Sequence, residues 1–303
     1  MKLIIDTDPG VDDVIAIALA KTLPDTEVIG LTTVFGNTFT WQSSRNARFL
    51  LDLLKWPVPV YEGAEFPLGA TSYTPSSNVH GDEGFGDILT VPQIGQNQPE
   101  SAAEFLVQAA RAHPGEVVIC ALAPLTNIAL ALELDEAFAK NVGRLVLMGG
   151  ALECDGNITP YAEANIFHDA RAAERVFASG MNIQMIGLDV TLKTLLRQPQ
   201  IDDLKNHAPV VGAFISEITP FYLDFYRSVA SIDGCPMHDA AAILACRYPD
   251  RFDFVTTGIS VSQSATNLGQ TLRASERPMT QVALDLDADW AVQHLFERIG
   301  ALH

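Results

Sequence analysis

The sequence predicts a single α/β domain over residues 1–303, with a mainly parallel central sheet flanked by helices in a Rossmann-like open arrangement. Three observations predict it. Short apolar runs alternate with amphipathic stretches for about the first 190 residues, as βαβ units do. The runs are apolar at nearly every position, the mark of strands covered on both faces. Glycines and polar residues then gather where each run ends, where helices should begin.

The elements follow in order. "KLIID" reads as a buried strand and "DDVIAIALAKTL" as an amphipathic helix, with Pro9 and Gly10 in the turn between them. "TEVIGLTTVFG" reads as the next strand, followed by a helix over "WQSSRNARFLLDLL". The alternation continues with helix "SAAEFLVQAARAH", strand "EVVICAL", helix "PLTNIALALEL", strand "RLVLMGG", helix "DARAAERVFAS" and strand "NIQMIGLDV". The pattern then changes to a long helix, "PVVGAFISEITPFYLDFYRSVA", with Pro220 inside it, and a second helix, "HDAAAILACRY". Strands "RFDFVTTGISV" and "MTQVALDLD" bracket a turn-rich segment before the closing helix "ADWAVQHLFERI". No repeat or sharp change of composition divides the chain.

Composition narrows the functions. With 48% hydrophobic residues the chain can bury a large core, and 37 acidic against 19 basic residues give a formal charge of −18. Nucleic acid polymers and anionic membranes need basic surfaces, so neither is expected as a partner. Four scattered cysteines (Cys120, Cys154, Cys235, Cys246) suit neither a disulfide framework nor a zinc cluster. "MKLII" is too short for a signal-peptide core, and no apolar run approaches the ~20 residues of a membrane helix, so a soluble cytoplasmic protein is expected.

Chemistry concentrates at the ends of the strands. "DTDPGVDD" places Asp6, Asp8, Asp12 and Asp13 within eight residues. Helix capping uses one carboxylate per helix and does not explain four. A hard divalent cation does, because calcium or magnesium takes oxygen ligands from carboxylates, carbonyls and water. The twelfth position after Asp6 or Asp8 is Ile17 or Leu19, which excludes an EF-hand. The absence of paired cysteine or histidine ligands disfavours zinc. Asn37, Asn157, Glu163 and Asn165 add amide and carboxylate groups suited to sugar hydroxyls. No GxxxxGK[ST] loop or arginine cluster is present to hold a phosphate.

Taken together, "DTDPGVDD", "VFGN", "LAPLTNIA", "MGG", "GNITPYAEAN" and "MHDA", in that order from residue 6 to residue 240, resemble the calcium-dependent nucleoside hydrolases of the inosine–uridine-preferring type. The resemblance spans nearly the whole chain. It implies one Ca2+ per subunit at the strand carboxyl ends, held by Asp8, Asp13, Asp239 and the backbone carbonyl of Leu122. Asp8 would also deprotonate a calcium-bound water. Asp12, Asn37, Asn157, Glu163 and Asn165 would bind the ribose, with Met148 of "MGG" beside the substrate. His238 would assist departure of the base, His80 would lie on a mobile loop over it, and Tyr222 and Tyr226 would close on it. Asp6 would orient its neighbours. Family members are commonly homodimers or homotetramers. The implied reaction is hydrolysis of purine or pyrimidine ribonucleosides to ribose and free base, with inversion at the anomeric carbon. Its transition state is oxocarbenium-like, which a ring of carboxylates and amide oxygens stabilises. A histidine near its reference pKa of ~6.5 would be a suitable donor to the base.

The chain departs from the family's "AEFN" motif at Ala164, where an aromatic commonly lines the pocket, and this leaves base preference open. Two rival readings are a haloacid-dehalogenase-type phosphatase, in which Asp6 of "LIIDTD" would be the nucleophile, and a non-catalytic calcium-dependent nucleoside or ribose binder. His113, His168, His207 and His294 read as structural or solvated, and Asn127 as a brace for its turn.

Overall fold

The first strand, β1 (Lys2–Thr7), lies inside a nine-stranded sheet, where its unbroken apolar run places it. The computed structural model describes residues 1–302. After β1 come α1 (Val11–Thr22), β2 (Glu27–Thr33), α2 (Thr40–Leu53) and the short β3 (Val60–Glu62). Next are α3 (Ser77–His80), α4 (Ala102–Ala112), β4 (Val117–Ala121), α5 (Thr126–Leu134), α6 (Phe138–Asn141) and β5 (Arg144–Met148). Then follow α7 (Ala164–His168), α8 (Ala170–Phe177), β6 (Ile183–Ile186) and α9 (Leu188–Thr191). The two-residue β7 (Leu195–Leu196) precedes α10 (Gln198–His207), the long α11 (Val211–Ala230) and β8 (Cys235–Pro236). The chain finishes with α12 (His238–Arg247), β9 (Phe252–Val261), β10 (Thr271–Arg273), β11 (Met279–Leu286) and α13 (Ala288–Ile299).

The sheet order is β10-β9-β11-β6-β5-β4-β1-β2-β3. All neighbours pair in parallel except β9 with β11 and β10 with β9. From β1 the chain builds outward through β2 to β3, then crosses over and builds the other way from β4. That reversal opens a crevice at the carboxyl ends of β1 and β4, where ligands bind in sheets of this kind. Successive side chains alternate between the two faces. Leu3 and Ile5 join a core beneath α1, α11 and α12, while Ile4, Ile119 and Leu145 join a second core beneath α4, α5 and α8.

Two local features differ from the sequence reading. "NIQMIGLDV" is not one strand: β6 stops at Ile186, and Gly187 leads into the buried turn α9. A short apolar run fits either element, and periodicity alone does not separate them. The edge strands β3 and β10, the ribbon of β7 and β8, and helix α10 carry too little pattern to be read. Helix α11 runs unbroken through Pro220, which faces solvent, so water can satisfy the carbonyl it frees. All four cysteines are free, Cys154 exposed and the others buried. Among the described residues no helix is long and apolar enough to cross a membrane.

Candidate active site and metal centre

Two helices converge on the crevice. The turn Asp8-Pro9-Gly10 ends β1 and starts α1 at Val11, which puts Asp12 and Asp13 in the first helical turn. Helix α12 starts with His238 and Asp239, and α1 packs against α12 through stretches rich in fully buried alanine. Both N-termini therefore face one place, and their N–H groups, which have no partner within the helix, favour negative charge there. Asp12, Asp13 and Asp239 each offer a carboxylate oxygen within 4.8 Å of the others.

The surrounding loops hold these carboxylates still. Asp13 accepts from the Thr7 hydroxyl on Oδ1, and from Gly10 N–H (2.9 Å) and Asn37 Nδ2 (3.1 Å) on Oδ2. Asp8 Oδ2 accepts from Asn37 N–H at 2.6 Å. Only glycine fits at position 36, because a Cβ there would strike the Asp8 carboxylate. Asp6 Oδ1 accepts from Thr32 Oγ1 (2.6 Å) and Asn127 Nδ2 (2.7 Å), and Asp6 is fully buried. That placement suits an orienting role better than the nucleophilic one the phosphatase reading gives to Asp6.

The donor set fits a divalent cation. Asp6 Oδ2, Asp8 Oδ1 and Asp12 Oδ1 are buried without a hydrogen-bond partner, a costly arrangement unless something positive sits among them. Burial, then the charge of Asp13, pushes the Asp8 carboxyl well above its ordinary value and Asp12 up to about 8. Burial raises Asp13, and burial followed by the charges of Asp12, Asp13 and Asp8 raises Asp239. Asp6 rises to about 6 through burial. Among the described residues no cationic side chain pairs with these five: His80 Nδ1 lies 3.8 Å from Asp12 Oδ1 but accepts from Val11 N–H, so its bare nitrogen carries no charge toward it. The tight triad contains Asp12 and omits Asp8, so the carboxylates in closest array are not quite the set implied by the motifs. Leu122 follows β4, and its carbonyl accepts from Asn165 Nδ2 at 2.8 Å.

The expected ribose side is built from β2, β5 and the loop before α7. Glu163 caps α7: Oε1 accepts from Asn165 N–H (2.9 Å), and Oε2 from Gly150 N–H (3.0 Å) and Ile166 N–H (3.1 Å). Burial still raises its carboxyl to about 7. Asn165 Nδ2 also reaches the carbonyl of buried Met148 at 3.2 Å. Asn157 is exposed, and its Oδ1 accepts from Ala164 N–H at 3.0 Å, so it stands at the rim of the site.

The opposite side carries the aromatics. Tyr222 Oη lies 3.4 Å from Asp12 Oδ2 and 3.5 Å from Tyr226 Oη. Tyr226 Oη is 2.7 Å from His238 Nε2, and His238 Nδ1 is 2.8 Å from Thr191 Oγ1. Burial lowers His238 to about 4, which corrects the expectation of an ordinary value: the ring is neutral at pH 7 and has an N–H to offer. His80 is buried in α3 and packed against the site, where the mobile loop was expected; its Nδ1 accepts from Val11 N–H at 3.2 Å. Burial, then His238 and His168, lowers it to about 3.

Some contributors carry no motif. Tyr73 donates to the Gly36 carbonyl at 2.9 Å and sits 3.0 Å from His168 Nδ1, behind the Asp8 loop. Burial and then the Asp8 charge raise its phenol. Asp189 of α9 accepts from Leu152 N–H (3.0 Å) and Glu153 N–H (2.7 Å), fixing the root of the Asn157 loop. A stretch read as strand gave no reason to single out Asp189 or Thr191, and Tyr73 lies where no periodicity is present.

The sheet, which carries the carboxylate cluster at its switch point, is shared with solved nucleoside-cleaving hydrolases, and that is the class of this protein. The chain belongs to the inosine-uridine preferring nucleoside hydrolase family, whose sequence profile matches residues 3–293. It is 40% identical to uridine nucleosidase 1 of Arabidopsis thaliana, over 89% of this chain and 81% of that protein. It is 33% identical to the pyrimidine-specific ribonucleoside hydrolase RihA of Salmonella gallinarum, over 99% and 98%. The purine-preferring ribonucleoside hydrolase from Gardnerella vaginalis superposes with a TM-score of 0.96 at 34% identity, over 100% of this chain and 99% of that one.

Proposed function

We propose that the chain hydrolyses the N-glycosidic bond of purine and pyrimidine ribonucleosides at a Ca2+ site formed by Asp8, Asp13, Asp239 and the Leu122 carbonyl, with Asp12 close enough to join. The observation that carries this reading is the set of buried carboxylate oxygens with no partner at the sheet's switch point. A bound calcium ion supplies a Lewis acid that makes water easier to deprotonate. Asp8, with Oδ2 tied by Asn37 and Oδ1 free, takes a proton from the attacking water. Asp12, Asn37, Asn157, Glu163 and Asn165 orient the ribose hydroxyls, and the carboxylates among them oppose the positive charge that develops on the sugar. His238 directs an N–H toward the departing base. His80, Tyr222, Tyr226 and Met148 line the space around it, and Ala164 enlarges that space. Assembly as a homodimer or homotetramer rests on the family resemblance, and a cytoplasmic location on the reading of "MKLII" as too short for a signal-peptide core.

The test is release of free base from inosine, uridine and 2′-deoxyinosine, with p-nitrophenyl phosphate as a control, in Ca2+ and after chelation. Calcium-dependent cleavage of ribonucleosides, far slower for the 2′-deoxy substrate, is expected. Phosphate release without base release overturns the reading, and tight binding without turnover favours a non-catalytic binder.

A further inference from the structure

We infer that Thr191 is a positioning residue that decides which nitrogen of His238 carries hydrogen, keeping Nδ1 bare and Nε2–H turned toward Tyr226 and the leaving base. The inference rests on the role given to His238 above.

Thr191 closes the short helix α9 and is fully buried. Its hydroxyl stands 2.8 Å from His238 Nδ1 and makes no other hydrogen bond among the described residues. A neutral imidazole has one N–H and one bare nitrogen, and a hydroxyl has one hydrogen to place. If Nδ1–H donated to Oγ1, the buried threonine hydrogen would have no acceptor. If the threonine donates, Nδ1 accepts and the ring hydrogen falls on Nε2. The second arrangement satisfies both groups, and an unmade buried hydrogen bond is the costlier choice.

Nε2–H then meets the Tyr226 oxygen at 2.7 Å. The 3.5 Å contact between the two tyrosine hydroxyls and the 3.4 Å contact of Tyr222 with Asp12 Oδ2 carry the line to a carboxylate. Tyr222 Oη donates to Asp12 Oδ2, so the line has a donor at the Thr191 end and an acceptor at the Asp12 end. A base arriving near Tyr226 would find Nε2–H available, without needing a charged histidine.

The backbone around Thr191 is fixed in the same way. Thr191 N–H donates to the Gly187 carbonyl at 3.1 Å, and the Thr191 carbonyl accepts from Thr194 Oγ1 at 2.9 Å. The Thr194 carbonyl accepts from Met237 N–H at 2.9 Å, and Leu195 and Leu196 pair with Pro236 and Cys235. These contacts tie α9 to the residue before His238, so the hydroxyl and the ring keep their spacing.

Thr191→Val removes the hydroxyl at constant shape, and Thr191→Ser keeps it. Both are compared with wild type, calcium-loaded, on uridine and on p-nitrophenyl riboside, whose phenolate leaves without an N–H from the enzyme. Thr191→Val should lower kcat on uridine by roughly 10- to 100-fold, below the full range for an acid–base group, since His238 remains. KM should hold, and p-nitrophenyl riboside should fall less than about threefold, because departure of the phenolate needs no donor. Thr191→Ser should recover most of the loss on uridine. Nitrogen-15 NMR of labelled histidine in the wild type should show His238 hydrogen on Nε2. Equal loss on both substrates, undiminished uridine turnover in Thr191→Val, or hydrogen on Nδ1 in the wild type would each overturn the inference. Wild-type protein that cleaves no nucleoside overturns the functional reading instead, and the tautomer still decides the placement of the hydrogen.

Discussion

Asn127 shows how one neutral side chain supports a charged site it does not enter. Its Nδ2 donates to Asp6 Oδ1 (2.7 Å) and to the Thr33 carbonyl (3.0 Å), while its Oδ1 accepts from Ala64 N–H (2.9 Å). It thereby joins β1, β2 and the loop after β3 at the floor of the crevice. Asn127→Ala should cost about 1–3 kcal/mol for each buried group left unpaired. Urea unfolding measures it, and a loss under about 1 kcal/mol would contradict the bracing role. The sequence showed the asparagine in its turn, but its partners lie far along the chain, and nothing local names them. The aspartates were legible for the opposite reason: their crowding within eight residues is itself the signal.

At the scale of elements, the site depends on α1 and α12 lying close enough to bring their N-termini together. Ala16, Ala18 and Ala20 of α1, and Ala240, Ala241, Ala242 and Ala245 of α12, are almost wholly buried. Small side chains permit that approach, and a larger one would have to be accommodated by shifting a helix. Ala241→Leu should destabilise the fold by about 1–3 kcal/mol through overpacking. Calcium affinity, measured by calorimetry, should fall along with it as Asp239 moves from Asp13; unchanged affinity in a destabilised variant would uncouple the packing from the site. Both helices were legible from their apolar patterns and the polar residues that open them. The edge strands β3 and β10 were not, since three residues at a sheet edge make no periodicity, and α9 was hidden inside an apolar run continuous with β6.

For the whole molecule, the cation and the pH act on the same account of charge. The Asp6 and Asp12 carboxyls stand at about 6 and about 8, raised above the ordinary 3.8. A folded value above the unfolded one means stability that is full below the unfolded value and lost as pH rises through the folded one. The calcium-free chain should therefore weaken as pH rises from about 4 to about 8, Asp6 contributing up to about 6 and Asp12 up to about 8, while a bound cation offsets the charge. The difference in Tm between calcium-loaded and chelated protein should widen over that interval, and a gap that narrows would count against a cation among these carboxylates. His168 and His238, both lowered to about 4 by burial, work in the other direction, removing stability from either form as pH falls from about 6.5 toward 4. Asp13 and Asp239 bring a further consequence, since they come from the first and last thirds of the chain and meet only across α1 and α12. A ribosome that has made the first strand and helix has made a patch of mutual repulsion, and its remedy is encoded far downstream. A cation held by both aspartates would thus bind late in the life of each molecule, a clasp that could close only after these two distant stretches of the chain have met.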